Sequence, residues 1–131
     1  MRRDFQLREV DRDYLERLGK PWEAVRDQGI DWLLIHGWPI PAGYQVGAAK
    51  VALQIPGGYP DAQIDMVYFD PPLGRHDGRG IVQTSPQDIA GGSFQRWSRH
   101  RTGENPWVAG EDGVETHMIL VDLWLQAEVR R

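Results

Sequence analysis

The chain has 131 residues, of which 40% are hydrophobic and 26% charged, so we expect one globular domain spanning residues 1–131. Its formal net charge of -4 at pH 7 argues against a broad nucleic-acid-binding surface, which requires clustered Lys and Arg side chains. The absence of Cys excludes disulfides, thiolate metal sites and a thiol nucleophile, and it is typical of a reducing compartment.

The first half of the chain predicts one short helix and four strands. Residues 10–18 predict the helix, which ends at Gly19 and Pro21. Residues 22–26 and 30–36 are apolar segments on either side of a turn-like break, and they predict a β-hairpin. Apolar and polar residues alternate over residues 49–55, as in a half-buried strand, and residues 66–69 predict a fourth strand that ends before Pro71.

The second half predicts a long loop and a long helix. Residues 74–92 are rich in Gly, Pro and polar side chains, which favours a loop that is functional or mobile. Asp112 is predicted to cap a helix over residues 113–129. We expect this helix to be largely buried against the sheet through its apolar residues, which are Val114, Met118, Val121 and Leu125 with Ile119, Leu120 and Trp124 beside them. Strands followed by a helix predict an α+β fold.

No apolar stretch approaches the roughly 20 residues that a membrane-spanning helix needs. The N-terminal residues 1–5 are not followed by the apolar core of a signal peptide. We therefore expect a cytoplasmic protein that has neither a membrane nor a nucleic acid as a partner.

Several pieces of the chain resemble ubiquitin-conjugating enzymes. The strand at residues 51–55, the Tyr59-Pro60 turn and the strand at residues 66–69 resemble the central meander of that family. The turn at residues 105–107 and the helix after it resemble the Trp-Pro turn and the next helix, so the resemblance covers roughly residues 49–125. It implies a ubiquitin-conjugating (UBC-like) fold, with an antiparallel four-stranded meander packed on helices and a long C-terminal helix.

Three strings are similar to one bacterial group within this superfamily, the prokaryotic ubiquitin-conjugating family E. They are residues 59–66, residues 94–101 and the pair Thr116-His117. Members of that group are associated with genes for a multi-ubiquitin protein, an activating enzyme and a JAB-type isopeptidase. The resemblance implies a role in bacterial ubiquitin-like protein modification, with a ubiquitin-like or multi-ubiquitin protein and a ubiquitin-activating-type enzyme as partners.

The catalytic cysteine of active relatives lies shortly before the tryptophan of the Trp-Pro turn. Counting back from Trp107 reaches residues 97–100, which contain no thiol, so thioester transfer is excluded. One hypothesis makes Ser98 a nucleophile with His100 as its base and Arg99 beside them, because residues i and i+2 share a face in an extended segment. The other reading is that these are ordinary polar surface residues.

Binding residues are predicted in the same region. Arg96, Arg99 and Arg101 are candidates for the carboxylate tail or an acidic face of a ubiquitin-like partner, the alternative being solvated loop charges. The candidate contact residues also include four further side chains, Trp38, Trp97, Trp107 and His117, and we expect Trp38 and Trp97 to be exposed.

The histidines do not have the spacing of a metal site. His36, His100 and His117 lack both thiol neighbours and a zinc-binding pattern, so we predict no metal and no cofactor. A ring nitrogen of His117 bonded to a backbone carbonyl would suffice for a structural role, although the ring is also placed to point toward the Ser98 loop.

Three functions remain open from the sequence. The first is a non-catalytic module that positions a ubiquitin-like protein or its activating enzyme. The second is a transferase that acts through an oxygen ester or directly on a substrate amine. The third is an RWD-type protein-interaction adaptor without a link to ubiquitin-like proteins.

Overall fold

The fold is α+β, with two helices and six strands in the computed structural model, which describes residues 1–131. In chain order the elements are α1 (Glu9–Leu18), β1 (Trp22–Asp27), β2 (Ile30–Pro39), β3 (Ala48–Ile55), β4 (Val67–Asp70), β5 (Thr84–Ile89), β6 (Gly92–Trp97) and α2 (Val114–Val129). Both helices and the first four strands lie where the sequence predicts them. Neither helix has the length and apolar character needed to cross a membrane.

All six strands form one sheet in the order β1-β2-β3-β4-β6-β5, and every neighbouring pair is antiparallel. The predicted count of four strands is wrong, because β5 and β6 form a further hairpin inside the predicted loop and after it. β5 is polar and contains Pro86, which an edge strand tolerates because one side of its backbone has no strand to bond. The hairpin turns at Ala90 and Gly91, whose φ angles are 50° and 81°, as a type I′ turn requires.

The main core lies between the helices and one face of the sheet. Four residues of α2 are at most 1% exposed there, namely Val114, Met118, Val121 and Leu125. The Tyr44 hydroxyl donates a hydrogen bond of 2.6 Å to the carbonyl of Leu125, which fixes α2 to the chain after β2. This packing sets the position of the segment that joins β6 to α2.

A second apolar cluster lies on the other face of the sheet. It consists of Val25, Trp32, Leu34, Ala52, Tyr68, Ile89 and Phe94, all at most 5% exposed. The backbone N–H of Ala90 donates to the Asp27 carboxylate at 2.9 Å, so the β5–β6 turn touches the end of β1. β1 and β5 are the two edge strands of the sheet, and in a flat sheet they would be separated by more than roughly 10 Å. The sheet therefore curls over its own second cluster.

α2 differs from the prediction at its start and on its outer face. Gly113, and not Asp112, occupies the N-cap position, and the Thr116 hydroxyl accepts the Gly113 N–H at 3.0 Å. Asp112 instead accepts the N–H of Val108 at 2.7 Å. Ile119 is 58% exposed, so the expectation that it packs against the sheet is wrong. The helix is apolar nearly all round, and the sheet covers only one side of it.

Candidate functional site

Residues 98–113, which join β6 to α2, contain most of the predicted site residues and are anchored at two tryptophans. Trp97 is fully buried, and its ring meets that of Phe69 edge-on with centroids 5.3 Å apart. Trp107 donates its indole N–H to the carbonyl of Pro60 at 2.9 Å. The hydrogen bond of Trp107 joins its turn directly to the Tyr59-Pro60 turn, so the two turns singled out in the sequence lie in contact.

Tyr59 connects three parts of the chain near that contact. Its hydroxyl donates to the Asp11 carboxylate at 2.8 Å and accepts hydrogen bonds from Arg8 at 2.8 Å and from the Val114 N–H at 3.0 Å. Burial, together with the Asp11 carboxylate, raises the pKa of the Tyr59 hydroxyl well above its usual value. The neutral hydroxyl therefore holds α1, the Tyr59 turn and the first turn of α2 together.

The side chains of Ser98 and His100 make no hydrogen bond to each other, and His100 bonds Asp65 instead. The N–H of Arg99 donates to the carbonyl of Trp97 at 2.9 Å, a three-residue turn centred on Ser98 that ends the extended conformation. His100 Nδ1 lies 3.0 Å from the Asp65 carboxylate, and the ring is 61% exposed. The face shared by residues i and i+2 exists only in an extended chain, and the turn removes it. The Ser98 hydroxyl is left without the base that the oxygen-ester hypothesis requires.

The three arginines predicted to bind a carboxylate are directed to three different places. Arg96 donates to the Ser85 hydroxyl at 3.0 Å, on the β5–β6 hairpin. Arg101 stacks on Trp107 with its guanidinium carbon 5.1 Å from the ring centroid. Arg99 stacks on Trp97 at 4.7 Å and donates to the carbonyl of Val82 at 3.0 Å. They do not form one basic patch.

Arg101 and Asp112 form a largely enclosed ion pair beside Trp107. Their nearest atoms are 3.5 Å apart, and the two side chains are 6% and 15% exposed. Burial alone would raise the pKa of Asp112, but the Val108 N–H and the Arg101 guanidinium hold it below its usual value. The pair stabilises the turn through residues 102–112, and most of the Arg101 side chain is unavailable to a partner.

His117 is completely buried in the first turns of α2. Its Nε2 lies 2.8 Å from the carbonyl of Met66, the backbone contact expected of a structural histidine, and its ring meets Trp124 edge-on at 5.6 Å. Burial lowers the pKa of His117 to about 4, so the ring is neutral at pH 7. With Nε2 donating to Met66, Nδ1 is a buried acceptor that no protein group meets. No three His, Cys, Asp or Glu side chains come close enough together to hold a metal ion.

The expectation that Trp38 and Trp97 are exposed contact residues is wrong. Trp38 is 6% exposed and donates its indole N–H to the Asp122 carboxylate of α2 at 2.9 Å, and Trp97 is 0% exposed. In the sequence, the proline-rich and basic neighbours of these residues suggested surface positions. Both rings are buried instead, because burying the large apolar area of each ring against α2 or β4 is more favourable than hydrating it.

An ionic cluster at the C-terminal end of α2 is the main feature that the sequence did not indicate. Glu128, 2% exposed at its side chain, accepts from Arg131 at 2.7 Å and from Arg75 at 3.2 Å, and lies 3.5 Å from Arg99. Burial alone would raise the pKa of Glu128, but the Arg131 guanidinium and the N–H of Val82 hold it below its usual value. Arg131 is three residues from Glu128, but Arg75 and Arg99 come from distant parts of the chain, so no local pattern reveals the whole cluster.

Arg75 extends this cluster into the segment before β5. Its side chain is 2% exposed, and it bonds the Asp77 carboxylate through two nitrogens at 3.0 and 2.6 Å as well as the carbonyl of Glu128 at 2.6 Å. Residues 75–82, predicted as a loop, are thereby fastened to the end of α2.

The family model described as prokaryotic E2 family E matches residues 7–128, a range that includes every strand and nearly all of both helices. No curated protein and no solved structure matches the chain.

Proposed function

The chain belongs to the prokaryotic E2 family E, and on that premise we propose that it is a non-catalytic component of a bacterial ubiquitin-like protein modification pathway. Its role is to bind a ubiquitin-like protein and an activating-type enzyme without forming a covalent bond to either. The observation that supports this most strongly is the segment after β6, where the chain has no cysteine and Ser98 has no base. In this proposal the domain is a UBC-like fold whose sheet is extended by the β5–β6 hairpin.

The scaffold around the missing nucleophile is well formed. The bond between Trp107 and the Pro60 carbonyl and the three bonds of the Tyr59 hydroxyl hold the two turns and α2 in one unit. We take this ordered arrangement as support for a binding role.

Transfer through an oxygen ester is the less favoured function. A serine hydroxyl is hardly ionised at neutral pH and needs a base in hydrogen-bond contact. His100 bonds Asp65 instead, and His117 is buried with Nε2 against the Met66 carbonyl. Neither imidazole has the contact with Ser98 that removal of its proton requires.

Isothermal titration calorimetry of the purified protein against the ubiquitin-like protein and the activating enzyme of the same genome tests the binding role. We expect a complex with at least one of them, and the same affinity for the variant Ser98→Ala. The matched control is Ser93→Ala, at an exposed serine of the β5–β6 hairpin. Lack of affinity for both proteins would contradict the proposal and favour an RWD-type adaptor.

A further inference from the structure

A cleft of about 270 Å³ lies beside the C-terminal end of α2. It is lined by Val82, Arg99, Trp124, Ala127, Glu128 and Arg131. The cleft combines guanidinium groups with apolar walls, whereas the protein as a whole carries a net charge of -4. It is separate from the Trp107 end of the connecting segment, although Arg99 belongs to that same segment.

The guanidinium groups at this cleft retain donors that the protein does not use. Arg131 bonds Glu128 through Nε and the carbonyl of Gly80 through Nη2, and its Nη1 makes no hydrogen bond. Nη1 of Arg99 donates to backbone carbonyls, while its Nη2 has only a contact of 3.5 Å with Glu128. Burial lowers the pKa of Arg99, which means that its charge is incompletely compensated by its surroundings.

The charge balance of the cleft favours one additional negative charge. Among the residues that line the cleft, Arg99 and Arg131 are positively charged and Glu128 is negatively charged, which leaves an excess of one positive charge. A planar guanidinium matches a carboxylate through paired hydrogen bonds. A doubly charged phosphate would exceed this excess of one positive charge, so a monoanionic carboxylate fits better.

The apolar part of the cleft continues along α2. Val82 is 48% exposed, and Trp124 and Ala127 form the neighbouring wall. Leu123 and Ile119 are 54% and 58% exposed. Residues 119, 123 and 127 follow one another at intervals of four, so they lie on one face of the helix. This apolar face therefore begins beside the guanidinium groups and runs toward the start of α2.

We propose that the cleft binds the C-terminal carboxylate of a polypeptide whose preceding apolar residues lie along residues 119, 123 and 127 of α2. The ligand is thus a chain terminus with one negative charge and an adjoining apolar segment. The inference rests on the proposed function only for the source of that terminus, which is the ubiquitin-like partner. The binding chemistry itself can be tested without any partner protein.

The test is a titration of the full chain, labelled with ¹⁵N, with an acetylated tetrapeptide Gly-Leu-Gly-Ala that has a free C-terminal carboxylate. The six tryptophan indole signals report on six places in the molecule, and Trp124 lines the cleft. We expect the Trp124 signal to shift and saturate. The same peptide with a C-terminal amide is expected to bind at least about tenfold more weakly, since a charge-assisted pair is lost.

Paired arginine variants locate the site. Arg131→Ala is expected to weaken peptide binding about tenfold, while Arg130→Ala, an equal change of charge at the neighbouring exposed residue, leaves binding unchanged. Arg99→Lys keeps the positive charge but loses the planar guanidinium that forms paired hydrogen bonds, so it is expected to weaken binding as well. The other indole signals, including that of buried Trp97, verify that each variant is folded.

Three results would overturn the inference. They are equal binding of the acid and the amide, equal effects of Arg130→Ala and Arg131→Ala, and inorganic phosphate competing as strongly as the peptide. If the ubiquitin-like protein binds and the peptide does not, the inference is wrong while the proposed function stands. If the peptide binds and neither partner protein does, the proposed function fails and the carboxylate site stands.

Discussion

The two ends of α2 are held by different kinds of interaction. At the N-terminal end the Tyr59 hydroxyl, the Trp107 indole and the His117 ring make short hydrogen bonds to neighbouring groups. At the C-terminal end three guanidiniums surround Glu128, and Nη1 of Arg131 makes no hydrogen bond. The hydrogen bonds at the N-terminal end join parts of the chain to each other, whereas Nη1 of Arg131 at the C-terminal end has no such partner. The carboxylate site proposed above therefore belongs to the C-terminal end of α2.

The largest effect is expected at the C-terminal end, from Glu128→Gln. This change removes the carboxylate that the guanidiniums share and leaves the enclosed Arg75 with fewer partners. The loss of one partner from a buried ionic group destabilises a protein by about 3 kcal/mol. Urea denaturation measures this change in the free energy of unfolding. The control Glu115→Gln breaks an exposed pair with Arg17 and should change the free energy of unfolding by less than about 1 kcal/mol.

At the N-terminal end of α2 we expect His117 to make the free energy of unfolding depend on pH. The pKa of His117 is about 4 in the folded chain against a usual 6.5, so the unfolded state binds the proton more readily. The stabilisation is present above pH 6.5 and is lost as the pH falls from there toward 4. At pH 5 the loss is about 2 kcal/mol relative to pH 7.

His117→Gln tests this pH dependence, because its amide can still donate to the Met66 carbonyl but does not titrate. The stability difference between pH 7 and pH 5, measured by urea denaturation, should be smaller in this variant than in the wild type. His100→Gln, at an exposed ring, controls for the removal of an imidazole. An unchanged pH dependence in His117→Gln would show that the ring is not the titrating group.

Tyr59→Phe should have a smaller effect at the same end. It removes the hydroxyl that bonds Asp11, Arg8 and the Val114 N–H, while Arg8 and Asp11 remain paired with each other. A loss of about 1 to 2 kcal/mol in the free energy of unfolding is expected. The control is Tyr14→Phe, since Tyr14 is also buried but no hydrogen bond contributes to the raised pKa of its hydroxyl, and its effect should stay within about 0.5 kcal/mol. Equal effects of the two changes would show that the Tyr59 hydroxyl does not link α1, its own turn and α2.

The smallest effect on stability is expected between the two ends, on the outer face of α2. Leu123→Ser alters a side chain that is 54% exposed, so the free energy of unfolding should change by less than about 1 kcal/mol. Binding of the tetrapeptide should nevertheless weaken, because its apolar residue loses a contact. A thermal melt and the NMR titration on the same sample separate the two quantities. A large drop in stability with unchanged binding would show that this face is structural.

Much of the fold was predictable because its signals are local. Apolar and polar residues alternate along β3, and Gly19 ends α1 in a left-handed conformation with φ of 68°, as its position in the sequence indicates. β5 was missed because a polar edge strand that contains Pro86 has the composition of a loop. The strand exists because of its pairing with β6, which local sequence does not specify.

The site was less predictable because it depends on contacts between distant residues. The resemblance singled out the Tyr59 and Trp107 turns, but the hydrogen bond from Trp107 to the Pro60 carbonyl, which joins them, is known only from the structure. The turn at Ser98 and the burial of Trp97 could not be inferred from composition. The contact between Arg75 and Glu128 joins residues 53 positions apart, and no periodic pattern marks such a pair.

In the proposed function this chain binds a ubiquitin-like protein without becoming joined to it. Mass spectrometry after incubation with that protein, the activating enzyme and ATP can separate binding from covalent joining, in one sample measured under native and then denaturing conditions. We predict a complex under native conditions and only the separate masses after denaturation. An adduct that survives denaturation, is cleaved by hydroxylamine and is absent in Ser98→Ala would contradict the claim.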